Sequence, residues 1–249
     1  MVARAHEKGV KRIICIGTDP EDSLAAADFA SKHNGVYWTY GIHPEEATNE
    51  LRLEGLRSAA ARALAPAARG DGREGAGREK PIQAPIAIGE VGLDYHSDGF
   101  DREGQIRLFE EMLQLAVDNG LPVSFHVRNA FLDFFAVTAN FPKVRGCVHS
   151  FTDSKKTLKK ILESTDFFIG VNGLATYSTL PTPPLERILL ETDAPFLTPT
   201  PFRGIINEPG YIYEIAHWLS QKLEVDFATI EKETTKNAER LFNFTDAIV

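Results

Sequence analysis

Seven short apolar runs punctuate the chain: RIICIG (Arg12 to Gly17), VYWTYGIHP (Val36 to Pro44), IAIGEVGLDYH (Ile86 to His96), LPVSFHVRN (Leu121 to Asn129), RGCVHSF (Arg145 to Phe151), DFFIGVNG (Asp166 to Gly173) and LERILLETDAPFL (Leu185 to Leu197). Their cores are continuously apolar rather than alternating, which is the pattern of parallel strands covered on both faces. The stretches between them carry helix signals. Arg4 to Lys11 reads as the end of a helix stopped by Gly9. Thr18 or Asp19 can cap the next helix, with Pro20 in its first turn and Asn34-Gly35 ending it. Ile106, Phe109, Leu113, Ala116 and Val117 recur at helical spacing before Asn119-Gly120, predicting a core-facing crossover helix between Asp101 and Asn119. Further helices are expected over Phe131 to Asn140, over Ser154 to Glu163, from near Tyr211, and around Lys236 to Phe242.

Strands and helices alternating at roughly 20 to 45 residues define an α/β class with a parallel sheet. Two architectures compete. A closed (β/α)8 TIM-type barrel carries its chemistry at the ends of many strands, whereas a doubly wound sheet binds at one switch point. Here Glu90, His126, His149 and Asp193 lie at the ends of four different predicted strands, which favours the barrel. Seven strands make it an incomplete one. The stretch from Arg57 to Pro81 is built of Ala, Arg and Gly without apolar periodicity, and residues 66–81 read as a disordered insertion after the His43 strand. Residues 1–249 otherwise read as a single domain.

Composition narrows the function classes. With 43% apolar residues and 25% charged, and no apolar run near the roughly 20 residues that span a bilayer, the chain is expected to be soluble, monomeric and free of membrane contacts. Cys15 and Cys147 each sit inside an apolar run, and no signal peptide precedes the first element. A reducing setting follows, cytoplasmic, or nuclear in a eukaryote. The net charge of −8 argues against broad electrostatic binding to nucleic acid. A metal-mediated phosphate site is still compatible with it, because a bound divalent ion reverses the local sign.

Glu90 stands out because it is an acid placed between Gly89 and Gly92 at the C-terminal tip of an apolar strand run. Imidazole and carboxylate donors suit Zn, Mn or similar divalent ions, so Glu90, His126, His149 and Asp193 converging at one mouth make a candidate metal site. A metal activates water and polarises the scissile bond while a carboxylate accepts the proton, and Asp193 can serve as both ligand and base. Arg128, two residues past His126 on the same side of an extended strand, is placed to hold a substrate phosphate. His43 stands at a strand tip beside Pro44.

GIHP (Gly41 to Pro44), AIGEVGLDYH (Ala87 to His96), PVSFHVRNA (Pro122 to Ala130), GCVHSF (Gly146 to Phe151), LLETDAPFLTP (Leu189 to Pro199), NEP (Asn207 to Pro209) and NAERLF (Asn237 to Phe242) together resemble the TatD family of metal-dependent deoxyribonucleases. The resemblance implies an amidohydrolase-like barrel that hydrolyses phosphodiester bonds in DNA with two divalent ions (Mg, Mn or Zn). It makes Glu90, His126, His149 and Asp193 metal ligands, with Glu90 bridging the ions, Asp193 and Glu90 catalytic, and His43 a wall of the substrate pocket. The chain also departs from the family pattern. Family members begin with a strand carrying a His-x-His pair, and nothing before Arg4 matches it, which leaves one metal position under-liganded and one ion expected rather than two. Gly173 to Leu185 is too short for the helix that should precede the last strand. Two alternatives therefore stand beside the nuclease: an amide or ester hydrolase such as a deacylase, and a catalytically impaired homologue.

Overall fold

The computed structural model describes residues 1–48 and 83–244; the expected insertion at 66–81 lies outside the described residues. The seven expected strands are all present: β1 (Ile13–Cys15), β2 (Val36–Tyr40), β3 (Ala87–Asp94), β4 (Val123–Arg128), β5 (Gly146–Val148), β6 (Phe168–Val171) and β7 (Ile188–Leu190). They form one sheet in chain order from β1 to β7. The pairs β1–β2, β2–β3, β5–β6 and β6–β7 are parallel, with registers such as Ile14 on Tyr37 and Gly170 on Leu189. A doubly wound sheet would reverse its strand order at a switch point. Strictly sequential order is that of a TIM-type barrel.

The described residues fall into two compact units. One holds residues 12–48, 83–123 and 128–144, the other 1–11, 124–127 and 145–244. In the first, helix α2 (Pro20–Lys32) starts as expected, with Asp19 accepting a hydrogen bond from Asp22 N at 2.8 Å and Pro20 in the first turn. All five residues of β2 are buried, which explains its unbroken apolar reading. Helix α3 (Arg102–Asn119) is capped by Asp101 and stopped by Gly120 at φ +65°. Its buried face centres on Leu108, Phe109, Met112, Leu113 and Ala116, one step round from the expected stripe, so that Ile106 and Val117 are half-buried. Each large side chain fully buried here, Trp38, Phe109 and Phe134 among them, contributes about 2 kcal/mol relative to exposure. Helix α4 (Phe131–Thr138) follows β4.

The N-terminal helix α1 (Val2–Glu7) belongs to the second unit, where Arg4 Nη2 reaches Glu208 at 2.7 Å. Helix α5 (Lys155–Ser164) is capped by Ser154, and α6 (Ile212–Leu223) packs Ile215, Ala216 and Leu219 into a core with Val171, Ile188 and Ile230. Between β6 and β7 the described chain makes two short 3-10 turns, Gly173–Thr176 and Leu185–Arg187, in keeping with the shortness of that passage.

Two sequence readings need correction. The last helix, α7, spans Phe227–Phe242 rather than starting near Lys236, because Asp226 caps it by accepting from Thr229 N at 2.9 Å. Strand β3 continues four residues beyond Glu90, which therefore stands inside the strand and not at its tip. The extension is held by Gln105 on α3: its Oε1 accepts from Asp94 N at 2.7 Å and its Nε2 donates to Asp94 O at 2.8 Å. A buried side-chain amide thus takes the place of a neighbouring strand.

Candidate metal centre

The backbone around Glu90 is fixed within its own unit. Glu90 N donates to Gly17 O at 2.7 Å, Thr39 Oγ1 donates to Gly89 O, and Gly17 N donates to Thr39 Oγ1 at 3.0 Å. Gly89 and Gly92, at φ +152° and +150°, occupy a region that side chains disfavour, so the two glycines flanking the acid are a backbone requirement. Gly41 is needed for a different reason. A Cβ there would collide with the backbone of Glu90, Gly89 and Gly17. Those atoms belong to the sheet and have little room to yield, so Gly41→Ala is expected to destabilise the protein by about 3 kcal/mol. The measurement is urea unfolding, and a midpoint equal to wild type at an unchanged m-value would show that the close approach is not rigid.

His43 sits just past β2, its backbone N donating to Thr18 O at 2.7 Å. Its Nδ1 lies 3.4 Å from Glu45 N and accepts that hydrogen bond, which places the ring proton of the neutral imidazole on Nε2. His43 and Glu90 offer ligand atoms within 4.8 Å of each other, and His126 is the fourth residue of β4. All three are half-buried. Arg128 ends β4, and its side chain is exposed.

The second donor set follows β5 and β7. His149, one residue beyond β5, is anchored by its backbone N on Phe125 O at 3.0 Å. Its Nδ1 lies 3.0 Å from Glu191 Oε2, and its Nε2 lies 3.8 Å from Asp193 Oδ1. A carboxylate accepts and cannot donate, so Nδ1 carries a proton, and Nε2 is the nitrogen that faces Asp193. Glu191 is held by a second donor, Ser150 N, at 2.7 Å to Oε1, and Asn172 Nδ2 lies 3.4 Å from that same oxygen. Gly170 makes the space, since a Cβ there would stand 2.5 Å from Glu191 Oε2. Asp193 and Ser150 both take positive φ, +56° and +46°, a conformation Asp tolerates better than most residues.

The sequence names Asp193 and His149 as candidate ligands, and Glu191 is not among the candidates. The signal was a second acid, Glu191, two residues before Asp193 and just past β7; with Asp193 at φ +56° the two carboxylates reach the two different nitrogens of His149.

The chemistry of the donor set fits a hard-to-borderline divalent ion. Imidazole nitrogens and carboxylate oxygens supply it, and one imidazole is oriented by a carboxylate on its far nitrogen, the usual support of a metal-binding histidine. Neither cysteine takes part. Burial, with a smaller contribution from the charge of Glu191, pushes the Cys147 thiol well above its ordinary range, and burial raises that of Cys15. Both stay protonated and poor ligands.

Residues 1–243 match the family model described as TatD related DNase. The chain is 30% identical over 253 residues to an uncharacterized metal-dependent hydrolase, YabD, of Bacillus subtilis, covering 97% of this chain and 91% of that protein. It is 32% identical over 258 residues to a protein of Cronobacter sakazakii named 3'-5' ssDNA/RNA exonuclease TatD, covering 97% and 90%. Among solved structures, the TatD homologue YjjV of Escherichia coli superposes with a TM-score of 0.78 at 27% identity, covering 97% of this chain and 90% of that one. A TatD-family hydrolase of Entamoeba histolytica gives 0.79 at 21% identity, covering 96% and 87%, a likeness of fold. No described helix is long and apolar enough to cross a membrane.

Proposed function

The chain belongs to the TatD-related DNase family of metal-dependent hydrolases, and we propose that it is a nuclease that cleaves phosphodiester bonds of DNA. The observation that carries the proposal is the His149 arrangement: a carboxylate fixes Nδ1–H at 3.0 Å, and a second acid, Asp193, stands 3.8 Å from the opposite nitrogen. Such a pair binds a divalent ion with one residue while keeping an anionic oxygen beside it.

In this reading Glu90, His126, His149 and Asp193 hold the metal. The ion, when bound, lowers the pKa of water towards about 7 and polarises the scissile diester. Asp193 accepts the proton of the attacking water, since its carboxylate lies on the side of His149 where Nε2 points. His43, with its proton on Nε2, donates to a phosphate oxygen rather than competing for metal. The Arg128 guanidinium neutralises the phosphate from the exposed end of β4. Relatives named as nucleases support a phosphodiester over an amide substrate.

Purified protein stripped with chelator is expected to leave a DNA oligonucleotide intact, and to digest it when Mg, Mn or Zn is restored. The proposal fails if no divalent ion restores cleavage while the protein hydrolyses an amide or carboxylic ester instead.

A further inference from the structure

Helix α5 (Lys155–Ser164) follows His149 after a short turn and has a charge unlike the rest of the protein. It carries Lys155, Lys156, Lys159 and Lys160 and a single acid, Glu163, in a chain whose net charge is −8. No other described helix has a net positive charge. All four lysines are exposed. At about 100° per residue they fall within about 140° of the helix circumference, while Leu158 and Ile161 bury the opposite side.

The lysines are placed against the interest of the helix itself. Lys155 and Lys156 stand in its first turn, where the helix dipole disfavours cations, and no acid sits in that turn to relieve them. Helix α2, by contrast, puts Glu21 and Asp22 in its first turn. Among the described residues no acid pairs with Lys155 or Lys156. Lys159 meets Glu163 at 3.6 Å, an exposed pair of the kind that holds weakly. The helix start is fixed: Asp153 Oδ1 accepts from Ser154 N and from Thr157 Oγ1, each at 2.5 Å, and Ser154 Oγ accepts from Thr157 N at 3.2 Å. In a TIM-type barrel each helix begins at the end where its strand finishes, the end that carries the chemistry. The first two lysines therefore stand at the His149 and Asp193 end of their unit, and Lys159 and Lys160 continue one turn down its outside.

We propose that the lysine face of α5 is an exosite for the phosphodiester backbone of the nucleic-acid strand being cut, holding nucleotides beyond those in the site. The inference rests on the nuclease reading above. A protein of net charge −8 repels a polyanion, and a local cluster of cations leading to the site focuses the strand onto it. From Lys155 to Lys160 the face runs about 7.5 Å along the axis, enough for about two successive phosphates at about 3.4 Å or more apart. A membrane surface is a poorer occupant, because a helix lying on lipid turns its apolar side outward, and here Leu158 and Ile161 are buried in the fold.

The test compares wild type with the fourfold variant Lys155→Gln, Lys156→Gln, Lys159→Gln and Lys160→Gln. A control removes the same charge elsewhere, by Lys32→Gln, Lys222→Gln, Lys232→Gln and Lys236→Gln, exposed lysines of α2, α6 and α7. With metal restored at low salt, the α5 variant is expected to raise the KM for an oligonucleotide of about 20 residues roughly 10-fold, against less than about 2-fold for a dinucleotide too short to reach α5. In chelator, where nothing is cut, anisotropy binding of the oligonucleotide should lose about 1.4 from its log–log salt slope, about 0.7 for each of two phosphate contacts. The control variant should stay near wild type in both. Equal losses in the two variants, a loss shared by the dinucleotide, or no loss at all overturns the exosite while leaving the nuclease reading intact. Binding to phosphatidylglycerol vesicles through these lysines, with the oligonucleotide unaffected, overturns it as well. Wild type that cleaves neither substrate with any divalent ion overturns the nuclease reading and the exosite with it.

Discussion

Asp193→Asn is expected to lower DNA hydrolysis by about 1,000-fold or more while leaving the thermal midpoint close to wild type. Asparagine is the informative replacement because of the backbone. Asp193 sits at φ +56°, its carbonyl accepts from Phe196 N at 2.8 Å, and the adjoining Thr192 carbonyl accepts from Asn207. Asn tolerates that left-handed conformation as well as Asp does, so the loop keeps its shape. What disappears is the anionic oxygen 3.8 Å from His149 Nε2, and with it the group that the proposed function makes both a metal ligand and the acceptor of the proton of water. Asp193→Ala removes the same chemistry but adds strain at positive φ, so its lower activity would arrive with a lower melting temperature. Steady-state kinetics beside a thermal melt separates the two contributions. An Asp193→Asn protein that cleaves DNA at a wild-type rate would remove Asp193 from the chemistry.

The strand framework was legible in the residues because parallel strands buried on both faces leave unbroken apolar runs, as the five buried positions of β2 illustrate. Crossover helix α3 was equally plain, since its Asn119-Gly120 stop matches the left-handed cap at Gly120. Helix α7 was only half visible for a physical reason. Its buried positions are Ile230, Thr234, Asn237 and Leu241, so two of the four inward side chains are polar and the apolar period breaks. Asn237 is inside because its Nδ2 donates to Leu185 O and Ile188 O, each at 2.9 Å, satisfying carbonyls at the entry to β7 that an apolar side chain would leave bare. The length of β3 was hidden in the same way, since the pairing of Asp94 with Gln105 joins residues of two elements. Glycines proved more readable than acids: Gly89 and Gly92 announced a constrained backbone, and both take the positive φ that only glycine adopts at ease. The orientation of His149 could not be read, because no sequence pattern reports which nitrogen of an imidazole meets a carboxylate.

That orientation is where Glu191→Gln should act, with an expected loss of about 10- to 100-fold in metal affinity and little change in fold. In the native site both oxygens of Glu191 accept, one from Ser150 N at 2.7 Å and the other from His149 Nδ1 at 3.0 Å. Glutamine has a single acceptor atom in the same shape. If its oxygen keeps the Ser150 amide, its NH2 faces His149 and demands an acceptor, so Nδ1 must lose its proton and Nε2 must carry it. The imidazole then points an N–H, not a lone pair, towards Asp193, and a ligand is lost without any change in position. If the amide flips instead, Ser150 N loses its acceptor and the Glu191 side faces a donor it cannot use. Competition with a fluorescent chelator measures the affinity, and histidine ring nitrogen NMR reports the tautomer directly. Wild-type affinity together with an unchanged Nδ1–H tautomer in Glu191→Gln would show that Glu191 shapes the loop and does not set the metal-binding nitrogen.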